Sequence, residues 1–192
     1  MALCVRKCWF SSKTCVEKCK HLTISCVEKC KAMKRKIYKE LVDWKNREQH
    51  KPLILNGVRQ CGKTYILKEF GRNEFDNLAY ISCDRNESLH AIYAGDFDTA
   101  RIIRGLSALT GVDIIPGKTL IFLDEVQAFP QALEALKYFC EDAPEYHIVV
   151  AGSLLGVALH AGVSFPVGKV QSMRLFPMDF EEFLMAMGED QL

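Results

Sequence analysis

The chain has 192 residues, 49% hydrophobic and 26% charged, which is enough for one globular domain with a real core. Its net charge of +1 hides an asymmetry: residues 1–51 balance at +9 (14 Lys and Arg against 5 Asp and Glu), and residues 52–192 at −8 (11 against 19). The larger part is therefore acidic, which argues against a nucleic-acid footprint on the core, and the basic character belongs to the N-terminal segment.

Six of the nine cysteines lie in the first 30 residues. Cys4-Val-Arg-Lys-Cys8, Cys15-Val-Glu-Lys-Cys19 and Cys26-Val-Glu-Lys-Cys30 repeat with a strict period of 11, close to three helical turns. Three readings compete for this segment. Paired thiolates suit zinc or an iron–sulfur cluster, but the spacing is not Cys-x-x-Cys and no histidine spacing supports it. A disulfide framework conflicts with a reducing compartment. A tandem duplication without a packed partner is the simplest, and we expect residues 1–32 to be a disordered or non-native extension. Met33 is a plausible true start. No apolar stretch of signal-peptide type interrupts the early lysines. The uncharged run from Tyr146 to Gly168 is broken by glycines and a proline, so it reads as strand then loop rather than a membrane span. The chain reads as cytoplasmic.

Beyond Met33, Ile37, Leu41 and Trp44 recur at helical spacing, predicting an amphipathic helix over 34–48. Residues 53–58 read as a strand and 63–70 as a helix ended by Gly71. Leu78–Cys83 alternates as a second strand, followed by helices over 87–94 and 98–110, the latter ended by Gly111. Thr119–Leu123 is a continuous apolar run, as expected of a central parallel strand covered on both faces. A helix over Gln131–Glu141, a buried strand over His147–Ala151, a strand over Val170–Phe176 and a helix over Phe180–Met187 capped by Asp179 complete the chain. Strands alternating with helices imply βα units and a parallel sheet.

Residues 57–64 form a complete Gly-x-x-x-x-Gly-Lys-Thr phosphate-binding loop: Gly57, Val58, Arg59, Gln60, Cys61, Gly62, Lys63 and Thr64. The strand before it and the helix after it are the confirming context. Gly57 and Gly62 permit backbone angles a side chain forbids and let the main chain approach phosphates. The loop N–H groups and the helix N-terminus make a concave anion site. Lys63 supplies a point charge for the β- and γ-phosphates, and the Thr64 hydroxyl a ligand for Mg²⁺. An ordinary glycine turn with a surface lysine does not call for Gly, Lys and Thr together.

Asp124 and Glu125 end the apolar strand. A carboxylate there is placed to hold Mg²⁺, and the adjacent Glu125 to orient and deprotonate an attacking water. Alone, such a pair also fits a polar helix cap. Ser153 follows the strand at 147–151. It suits either a hydrogen bond to the water or γ-phosphate, or a plain helix N-cap.

The runs 56–64, 119–127, 136–144, 151–156, 164–169 and 175–184 together resemble the bacterial and archaeal AAA-type predicted ATPases, over about residues 33–192. The resemblance implies an α/β fold: a P-loop NTPase, AAA+-like three-layer αβα sandwich on a mostly parallel five-stranded sheet. It implies ATP and Mg²⁺ as ligands, with phosphate and Mg²⁺ at Lys63 and Thr64, Mg²⁺ held through water by Asp124, Glu125 as catalytic base, and Ser153 at the sensor position. It also implies a homo-oligomer that supplies an arginine in trans. Lys169 and Arg174 are the basic residues nearest such a role, and surface charge explains each. Family members continue through a further C-terminal region, so residues 33–192 are expected to be an ATP-binding core lacking it. Two other functions stay open: a nucleotide-binding switch with little hydrolysis, and a metal-binding interaction module led by the cysteine repeats.

Overall fold

A computed structural model describes residues 35–153 and 168–187. The cysteine repeats and residues 154–167 lie outside the described residues. Residues 35–179 form one unit, and residues 180–187 belong to a second.

In the larger unit, helix α1 (Ile37–Lys45) buries Ile37, Leu41 and Trp44, the predicted stripe. It is shorter than 34–48 because Asn46–Gln49 offers no apolar face to extend that stripe. The Trp44 indole N–H donates to the Lys51 carbonyl at 2.8 Å and fixes the link to strand β1 (Leu53–Gly57). Helix α2 (Lys63–Glu74) runs through Gly71 rather than ending there. A Cβ at Gly71 would stand 2.7 Å from Leu78 Cδ1, so this glycine admits strand β2 (Asn77–Ser82) against the helix. Helix α3 (Ser88–Ile92) is shorter than expected. Helix α4 (Thr99–Thr110) is capped by Asp98, which accepts from the Ala100 N–H at 3.0 Å, and closes at Gly111 with φ 67°. Strand β3 (Thr119–Asp124) is buried at every position. A 3-10 turn (Val126–Ala128), helix α5 (Gln131–Asp142), strand β4 (His147–Gly152) and strand β5 (Gln171–Leu175) follow. In the second unit, helix α6 (Phe180–Met187) carries Glu181 and Glu182 in its first turn, where acids suit the helix dipole.

The five strands form one sheet in the order β2-β3-β4-β1-β5. Every pairing is parallel, as the βα alternation implied. Strand alternation divides the core into two layers. Leu53, Leu55, Leu120, Phe122, Val149 and Ala151 face α1 and α2, with Trp44, Ile66, Leu67 and Phe70. Ile54, Ile121, Leu123, Ile148 and Val150 face the other helices, with Ile102, Leu106, Leu133 and Leu136. Because all strands run one way, Gly57, Ser82, Asp124, Gly152 and Leu175 end along one edge of the sheet. In open α/β sheets that edge is where ligands bind.

Candidate functional site

The loop from Gly57 to Thr64 leaves β1 at that edge. A Cβ on Gly57 would sit 2.5 Å from the Leu175 carbonyl oxygen and 2.9 Å from Cys61 Sγ, so no larger residue fits. Gln60 and Gly62 take left-handed φ values of 61° and 95°, folding the loop back on itself before α2 begins. Lys63 is buried, and its ammonium donates to the carbonyls of Gly57 at 2.9 Å and Val58 at 2.8 Å. That places a positive charge within the curve of the loop, beside the N-terminus of a twelve-residue helix. The outer wall is tied down by Arg35, a buried guanidinium that donates to the Cys61 carbonyl at 3.1 Å and the Phe176 carbonyl at 2.7 Å. Val58 points outward, more than half exposed.

The end of β3 meets this loop. Thr64 Oγ1 donates to Asp124 Oδ2 at 2.7 Å across 60 residues of sequence. The Tyr80 phenol donates to the same oxygen at 3.3 Å, and the Glu125 N–H to Asp124 Oδ1 at 3.1 Å. Glu125 lies in the left-handed region, with φ 53° and ψ 43°, and turns the chain out of the strand. Its carboxylate accepts a hydrogen bond from the Gln127 side-chain amide. A cavity of about 590 Å³ lies between loop and strand end, bordered by Arg59, Gln60, Lys63, Thr64, Glu125 and Gln127. That volume suits a small-molecule ligand.

Ser153 follows the last residue of β4. In register, β4 lies between β1 and β3, so Ser153 leaves the sheet between the loop strand and the acid strand. Its buried hydroxyl has no hydrogen-bond partner among the described residues. Lys169 is held by Glu141 at 2.9 Å, and the Arg174 guanidinium lies 5.9 Å from the Phe176 ring centre. Burial and the nearby Asp124 push the Tyr80 phenol and the Cys83 thiol each up to about 12, so both stay protonated. Cys83 is thus a buried, protonated thiol.

The sequence reading missed Arg35, Tyr80 and Gln127. Arg35 acts over 26 and 141 residues of separation, which no local pattern signals. Tyr80 left a faint trace: a phenol within an alternating strand, whose register partner Phe122 proves to lie two residues before Asp124. Gln127 follows Glu125 too closely to be told from an ordinary turn residue.

The parallel sheet, the glycine-rich loop at its edge and the acids on the adjacent strand but one define a P-loop α/β fold. The AAA domain family matches residues 49–184. This chain belongs to that family of ATPases, and its domain is nucleotide-binding and ATPase-like. Among solved structures, the Walker-type ATPase PABY2304 of Pyrococcus abyssi superposes with a TM-score of 0.52 at 15% identity. The match covers 81% of this chain and 57% of that one, so the chain spans little more than half its length. The ORC1 protein of Aeropyrum pernix, solved in complex with DNA, is similar with a TM-score of 0.45 at 18% identity, covering 81% and 48%. The Pif1 helicase of Candida albicans follows at 0.40 and 11%, covering 77% and 40%. No curated protein sequence matches. Among the described residues no helix is long and apolar enough to cross a membrane.

Proposed function

We propose that the chain binds Mg²⁺–ATP at residues 57–64 and hydrolyses it. The observation that carries this reading is the 2.7 Å contact between Thr64 Oγ1 and Asp124 Oδ2. It brings a hydroxyl and a carboxylate, both hard oxygen donors, to one point beside the phosphate loop. That donor set fits Mg²⁺, which takes few protein ligands and keeps its waters. A bound Mg²⁺ would neutralise charge developing on the phosphates.

The chain's own residues have distinct tasks in this reading. Gly57–Thr64 wraps the phosphates with main-chain N–H groups. The Lys63 ammonium exchanges its carbonyl partners for phosphate oxygens. Glu125 orients water and takes its proton. The Ser153 hydroxyl, without a partner among the described residues, offers a hydrogen bond to the water or γ-phosphate. An arginine supplied by a second copy would raise turnover further. Three free thiols among the described residues, Cys61, Cys83 and Cys140, support a reducing, cytoplasmic setting.

One observation favours a slower protein. Glu125 is already engaged by Gln127, so hydrolysis requires that bond to re-aim, and a chain in which it persists would be a nucleotide-binding switch. Two measurements on the full chain separate these readings. Lys63→Ala is expected to lower ATP affinity at least tenfold in a fluorescent-nucleotide titration. Phosphate release by the wild type is expected to exceed that of Glu125→Gln. Equal release with intact binding would leave only the switch, and wild-type protein that binds no nucleotide would end both readings.

A further inference from the structure

Asp124 is held by more than the loop. It is nearly buried, at 4% exposure, and its Oδ2 accepts two hydroxyl donors, Thr64 and Tyr80. Its Oδ1 accepts the Glu125 N–H. Two of these donors are local to the expected cation pair; Tyr80 comes from the neighbouring strand, β2. Its ring is itself held by two neighbours. The Phe122 ring meets it edge-on, with centres 5.3 Å apart and planes at 60°. The Lys68 ammonium sits 3.4 Å from its centre, a close cation–π contact. Lys68 lies four residues after Thr64 on α2, so the two share one helix face. One face of α2 thus presents a hydroxyl to Asp124 and, a turn later, a cation to the tyrosine that also grips Asp124.

We propose that Tyr80, braced by Lys68, is a positioning residue that keeps the Asp124 carboxylate aimed at Thr64 and so sets how tightly the site takes a divalent cation. The inference rests on the reading of Thr64 and Asp124 as the Mg²⁺-bearing pair. A cation held by a Thr64 lone pair would leave the Thr64 O–H free to go on donating to Asp124 Oδ2, a single bond about which the carboxylate can still turn. Tyr80 is the second side-chain donor on Oδ2, and it limits that rotation. Outer partners of this kind change metal affinity by about 10–100-fold when removed. Tyr80→Phe deletes only the hydroxyl and keeps the ring in contact with Phe122 and Lys68.

The test is a fluorescent ATP-analogue titration on the full chain, first in EDTA and then against rising Mg²⁺. For Tyr80→Phe we expect affinity in EDTA within about twofold of wild type, and a half-saturating Mg²⁺ concentration raised about tenfold. Lys68→Met, which removes the brace and leaves the phenol, should raise it less, about two- to threefold. A Mg²⁺ midpoint unchanged in Tyr80→Phe overturns the proposal, and so does a lowered thermal midpoint with unchanged Mg²⁺ dependence, which would assign Tyr80 to packing alone. A wild type that binds nucleotide without regard to Mg²⁺ removes the underlying pair, and the proposal with it.

Discussion

The imidazoles of His50 and His147 stack 3.8 Å apart with their planes at 7°. Trp44 meets both rings edge-on, and Phe75 meets His147. His147 Nε2 donates to the Lys45 carbonyl at 3.2 Å, while its buried Nδ1 has no partner among the described residues. Burial first, and the neighbouring His50 second, lower the His147 pKa to about 4; burial lowers that of His50 as well. Both rings are therefore held neutral. The folded state binds fewer protons than the unfolded chain between the unfolded histidine value near 6.5 and about 4. Stability from this cluster is complete above that window and is lost as pH falls through it, by roughly 2–3 kcal/mol. A thermal-melt series from pH 7.5 to 4.5 should show the wild-type midpoint falling, and His147→Gln, which keeps a donor for Lys45 but cannot titrate, should flatten the curve.

Gly57→Ala should harm the fold and the loop together. Its Cβ would press on backbone, the Leu175 carbonyl at 2.5 Å, which cannot swing aside like a side chain. We expect a loss of roughly 1–3 kcal/mol in urea denaturation, with nucleotide binding abolished. Wild-type stability in this variant would show that β5 gives way easily.

Arg35→Met should loosen the loop without touching the Thr64–Asp124 contact. The substitution removes donors from two carbonyls, Cys61 and Phe176, and should cost about 1–3 kcal/mol. Nucleotide affinity is expected to fall several-fold by titration, with the Mg²⁺ midpoint unchanged. That pattern is the opposite of the one expected for Tyr80→Phe.

Ser153→Ala separates function from packing. The hydroxyl is buried and has no partner among the described residues, so deleting it should leave stability within about 0.5 kcal/mol or raise it. If Ser153 serves the reaction, phosphate release should fall about tenfold or more in the same protein. Unchanged release would reduce Ser153 to a loop residue.

The buried strands were legible because their signal is local. Thr119–Leu123 reads as a continuous apolar run, and the strand extends one residue beyond it, to Asp124, the acid that ends it. Asp98 and Gly111 bracket α4 as cap chemistry dictates. Gly71 misled because a glycine after an apolar helix reads as a stop, whereas the residue it spares room for, Leu78, lies on the next strand. The same limit governs the site. The phosphate loop and the acid pair are contiguous motifs, so they could be read directly. The contacts that hold them in place, from Arg35 to Phe176 and from Lys68 through Tyr80 to Asp124, form only after the chain has folded.

Glu125 occupies a backbone well that only glycine enters freely, and asparagine or aspartate with less ease. A glycine there would relax the turn by about 1 kcal/mol while deleting the carboxylate. If Glu125 is the base proposed above, the sturdier chain would be the one without it, and a screen for heat resistance alone should drift toward protein that no longer releases phosphate. On that reading, selection for stability and selection for turnover pull this single residue in opposite directions.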